Sequence, residues 1–129
     1  MLDKTLRSRK PINGAKEASK ILSRMVLDNN REFFVVLNLD ARNIPISAHI
    51  ISIGTLNASL VHPRETFYKA IKCKAASMIV AHNHPSGGLE PSEADLLLTK
   101  RLQNAGEILG IEVVDSLVMD KAGNYRSII

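Results

Sequence analysis

Apolar positions change their spacing along this chain, and each change marks an element. Ala15, Ala18, Ile21, Leu22, Met25 and Val26 recur at helical spacing, and Asp28-Asn29-Asn30 supplies turn formers after them. Phe33 to Asp40 is rich in β-formers, "ARN" follows as a turn, and Ile44 to Thr55 reads as a second strand in a hairpin with the first. "NASLVHP" is a connection. A helix opens at Pro63, where the missing N–H is harmless, and sets Phe67, Ala70 and Ile71 on one face. "ASMIVAHNH" is nearly continuous in apolar residues, as in a strand covered on both faces. "PSEADLLLTKRLQNAGEILG" predicts a long helix closed by Gly110. "IEVVDSLVMD" is a strand, "KAGN" a turn and "YRSI" a short last strand. The order α-β-β-α-β-α-β-β predicts an α/β (α+β) fold, one mixed sheet flanked by helices.

At 129 residues the chain is expected to be one domain, with a tail at 1–12 and a folded body at 13–129. The net charge of +4 is uneven. Residues 1–31 hold eight basic and three acidic side chains, while the rest of the chain is close to neutral. The basic end could make a weak contact with nucleic acid, although a solvated tail and helix face explain the charge as well. No apolar run is long enough for a bilayer, and no apolar stretch follows the early basic residues as in a secretory leader. Cys73 is the only cysteine, so no internal disulfide is available. Together these features favour a cytoplasmic protein without a membrane partner.

The chemistry concentrates in "VAHNHPSGGLEPSEADLLL", from Val80 to Leu98. Side chains alternate along a strand, so His82 and His84 point one way and Asn83 the other. Pro85, Gly87, Gly88 and Pro91 shape a compact loop, and Asp95 falls in the first turn of the next helix. Two imidazoles and a carboxylate are three of the four ligands of a catalytic zinc site, with one position open to water. Ser92 and Asp95 also have the spacing of a helix-capping pair, and the two roles are compatible. Asn83 reads as a loop hydrogen-bonder. His49 reads as structural, His62 as a helix-start residue and Cys73 as packing. Arg64 could meet an anion at a helix N-terminus.

"HNHPSGGLEPSEAD" resembles the JAMM motif of the MPN+ metallopeptidases, His-x-His-Pro followed by Ser-x-x-Asp. "GTLNASLVHPRE", "AHNHPSG" and "TKRLQNAGEILGIEVVDSLVM" are similar to the bacterial RadC-type branch, over roughly Ile12 to Ile129. Asn83, where many eukaryotic members have serine, is usual in that branch. The resemblance implies a three-layer MPN/JAB (cytidine-deaminase-like) architecture. It also implies one Zn2+ per chain on His82, His84 and Asp95, with Ser92 on the motif serine. The family's glutamate on an early strand falls on Glu32, just before Phe33; Glu65 competes, but a helix dipole suffices to explain an acid there. The implied activity is cleavage of an amide bond, peptide or isopeptide, by a metal-activated water. Glu32 would serve as acid/base and Ser92 as oxyanion stabiliser.

The implied partner is a peptide or protein substrate, for a monomer or homodimer. The alternative is a RadC-like DNA-repair or mobile-element accessory protein that binds DNA or protein without proteolysis. Larger RadC-like chains carry an N-terminal helix-hairpin-helix region for which these residues leave no room, so DNA binding by that region is not expected of them. Some MPN relatives lack the metal ligands and act as scaffolds, whereas all three ligand types are present here. A nucleobase deaminase would need His-x-Glu and Cys-x-x-Cys, and a zincin His-Glu-x-x-His; neither pattern occurs.

Overall fold

The computed structural model describes residues 10–54 and 61–129 and the backbone of Asp3–Thr5. The elements are β1 (Asp3–Thr5), α1 (Ala15–Ser23), β2 (Glu32–Leu39), β3 (Pro45–Gly54), α2 (Pro63–Lys72), β4 (Ser77–Asn83), α3 (Glu93–Leu109), β5 (Glu112–Met119) and β6 (Tyr125–Ser127). They build an α+β domain around one mixed sheet in the order β1-β3-β2-β4-β5-β6. Only β4 and β5 run parallel, joined by a crossover through α3; the other neighbours are antiparallel.

The period-2 alternation of the central strands divides the core into two layers. Phe33, Val35, Leu37, Ile79 and Ala81 pack on one face with Ala18, Leu22, Met25 and Val26 from the α1 region. Phe34, Val36, Met78 and Val80 pack on the other with Phe67 and Ala70 of α2 and Leu98 and Leu102 of α3. β4 is buried along its whole length, as its continuous apolar run requires. A buried hydrogen bond between Thr99 and Ser116 hydroxyls, 2.8 Å, fixes α3 on β5. Gly110 ends α3 in the left-handed conformation, φ 75°.

Two features depart from the sequence reading. β1 lies within the segment read as a tail and adds a strand to the predicted order. Helix α1 stops at Ser23, yet Met25 and Val26 stay in the core because their N–H groups turn back onto Leu22 and Ser23 carbonyls, 3.0 and 3.2 Å. The apolar spacing therefore outlasts the helix. Thr55, residues 57–60 of the predicted connection, and the tail side chains through Arg9 lie outside the described residues.

Candidate metal centre

His82 is the penultimate residue of β4, on the face that carries Val80 and α3, and is 2% exposed. Its ring lies near parallel to that of Phe34, the residue opposite it on β2, with centroids 6.4 Å apart. His84 sits just past the strand end, its ring centroid 5.1 Å from that of His82, so the two imidazoles stay together although only one is in the ladder. The chain then turns back through Gly87, whose φ of 81° favours glycine. Gly87 N–H donates to the His84 carbonyl at 2.8 Å, and Glu90 pairs with Arg126 on β6. This loop delivers the N-terminus of α3 to the histidines.

At that N-terminus Ser92 and Asp95 form a full capping box. Asp95 N–H donates to Ser92 Oγ at 3.0 Å, and Ser92 N–H donates to Asp95 Oδ2 at 2.8 Å. The same carboxylate meets both imidazoles: Oδ2 lies 2.9 Å from His84 Nε2, and Oδ1 lies 3.1 Å from His82 Nε2. Capping uses Oδ2 and leaves Oδ1 facing His82. Burial raises the Asp95 carboxyl, but the His82 ring, the Ser92 N–H and the Ser92 hydroxyl outweigh it and hold the group well below the usual carboxylate range.

Ligand-type atoms of His82, His84 and Asp95 all lie within 4.8 Å of one another, the spacing that one metal ion can bridge. The His82 contact is close but misaligned, so its buried Nε2 has no hydrogen-bond partner. Buried polar nitrogens are normally satisfied, and an unpartnered ring nitrogen beside a carboxylate and a second imidazole suits a metal-ligand position. The residues therefore fit a divalent cation with nitrogen and oxygen donors.

Glu32, half-buried, opens β2 two residues before Phe34 and shares its face with His82 by strand alternation. Glu65 lies elsewhere, lining a cavity of about 350 Å³ with His49, Arg64 and Tyr68 between β3 and α2. His49 is buried and bonded to Ser47 Oγ at 2.8 Å. His62 is the N-cap residue of α2, and Cys73 follows the last turn of that helix against its core layer. Beside His84, a cleft of about 320 Å³ lined by Asn29, Asn83, Pro85 and Asp120 opens to solvent.

Asn83, read from sequence as a loop hydrogen-bonder, does bond through its side chain, but from the last position of β4 rather than from the loop. It is 2% exposed and reaches across to β2: Oδ1 accepts from Phe33 N–H at 2.7 Å, and Nδ2 donates to the Arg31 carbonyl at 3.0 Å. Alternation along β4 turns Asn83 away from the histidines towards the α1 layer, as the sequence predicts, but does not report its partners on β2.

A family model, the RadC-like JAB domain, matches residues 12–129. The chain belongs to the RadC-like JAB domain family. Curated relatives of this RadC-like domain include a UPF0758 protein of Desulforamulus reducens, 54% identical over 92 residues covering 71% of this chain and 40% of the relative. A UPF0758 protein of Staphylococcus carnosus is 47% identical over 112 residues, 87% of this chain and 49% of the relative. The RadC-like chain thus spans about half the length of the curated relatives it matches. Among its described residues no helix is long and apolar enough to cross a membrane.

Proposed function

We propose that this domain is a zinc-dependent hydrolase that cleaves an amide bond, peptide or isopeptide, in a protein or peptide substrate. The reading rests on the convergence of His82, His84 and Asp95 within 4.8 Å, with the buried His82 Nε2 left without a hydrogen-bond partner. Two neutral imidazoles and a carboxylate are the donor set of three-ligand catalytic zinc sites. Bound there, zinc would lower the pKa of water to about 7 and polarise a substrate carbonyl.

The chain's own groups supply the rest. Glu32 takes a proton on its carboxylate from the attacking water and returns it to the leaving nitrogen. Ser92 Oγ accepts from Asp95 N–H, and its hydroxyl hydrogen, which lies against the Asp95 carboxylate, would turn to the substrate carbonyl oxygen as charge develops there. A peptide-library and proteome-wide cleavage screen with zinc-loaded protein tests the reading. Cleavage by wild type and its loss in Asp95→Asn are expected; no cleavage of any peptide or isopeptide bond by the loaded protein would overturn it.

A further inference from the structure

The ladder between β2 and β4 ends at Phe34 opposite His82. One rung further out, the side chain of Asn83 takes the place of a backbone partner. Its carboxamide has the shape and polarity of a peptide group, and it bonds Phe33 N–H and the Arg31 carbonyl together. An N–H can only donate and a carbonyl only accept, so these partners fix which way the amide faces. Glu32 is the residue between them.

We propose that Asn83 is a positioning residue for Glu32, holding the backbone on both sides of the glutamate from the strand that carries the metal-binding histidines. The β2–β4 backbone ladder has already ended at His82, so Asn83 holds the two strands together one step beyond it and ties Glu32 to the strand that carries His82. A purely structural account would put the value of these bonds in stability. The geometry instead brackets one residue, and it does so from within a fully buried amide. The proposal rests on the hydrolase reading for the meaning of Glu32, while the bracket itself can be tested without turnover.

The test uses zinc-loaded wild type, Asn83→Ala and the near-isosteric Asn83→Asp, which keeps the acceptor for Phe33 but sets an oxygen against the Arg31 carbonyl. Amide exchange at Phe33 should quicken roughly tenfold in Asn83→Ala, as loss of one buried bond allows, while Val35 to Leu37 keep their protection. The carbon-13 resonance of the Glu32 carboxyl should move in both variants, and zinc content should stay at the wild-type level. With a cleaved substrate, kcat should fall roughly 10²-fold or more with KM little changed, the low end of what an acid/base group supplies. Asn83→Ala should add almost nothing to the loss already caused by Glu32→Gln. Unchanged Phe33 exchange, an unmoved Glu32 resonance, lost zinc, or an undiminished effect in the Glu32→Gln background would each overturn the proposal. If wild type cleaves nothing, the hydrolase reading fails separately, and exchange and the carboxyl resonance still decide whether Asn83 sets Glu32.

Discussion

Asp95 caps α3 with one carboxylate oxygen and faces His82 with the other, so two substitutions should pull its roles apart. Asp95→Ala removes the acceptor for Ser92 N–H and the partner of His84, both under 3 Å away. An N-cap box contributes about 1 kcal/mol, and a second net hydrogen bond about as much at most. The removed charge is itself buried, which offsets part of the loss, so about 1–2 kcal/mol is expected in metal-free protein. For a domain of 129 residues this lowers Tm by roughly 4–7 °C. Asp95→Asn keeps an oxygen for Ser92 N–H and should lose less than half as much. Zinc affinity should fall in both variants by more than the roughly 100-fold typical of a lost outer partner, because a direct ligand is gone. The assays are thermal melts in chelator and zinc titrations of the apo proteins. The carboxyl titrates well below its unfolded value, so its stabilisation is present above about pH 4 and is lost as pH falls through the folded value. The wild-type advantage over Asp95→Ala should therefore narrow on acidification. Equal destabilisation by Asn and Ala, or wild-type zinc affinity in Asp95→Asn, would refute this division of labour.

Three further outcomes are expected. Gly106→Ala should destabilise although alanine favours helix by about 1 kcal/mol, because a Cβ there would stand 2.3 Å from the Ile111 carbonyl oxygen, which is backbone; a net loss of roughly 1–2 kcal/mol is expected by chemical denaturation. Glu32→Gln should lower turnover by about 10²–10⁴-fold with zinc content near wild type, while Glu65→Gln leaves turnover nearly unchanged. Binding to duplex DNA should be weak, fall steeply with salt and drop when residues 1–10 are removed; tight sequence-selective binding would favour the accessory-protein alternative.

The sequence made the centre legible where local rules and geometry agree. His82, Pro63 and Gly110 stand where strand alternation, helix starts and helix ends put them. Ser92 and Asp95 admit two readings from sequence, and the carboxylate accommodates both because its oxygens face different partners. β1 was hidden because its pairing with β3 depends on backbone contacts over three residues, with no periodicity to show. The early end of α1 was hidden because burial of Met25 and Val26 preserves an apolar spacing that no longer needs a helix. Asn83 is the instructive case: its bonds join residues 50 and 52 positions apart, and no local pattern reports a side chain standing in for a rung of a sheet.

Metal content tests the central claim most directly. Apo protein loaded with zinc, freed of excess and measured by elemental analysis should hold about one ion per chain, and His82→Ala/His84→Ala should hold almost none. Equal zinc in the two proteins would contradict a metal centre at His82, His84 and Asp95.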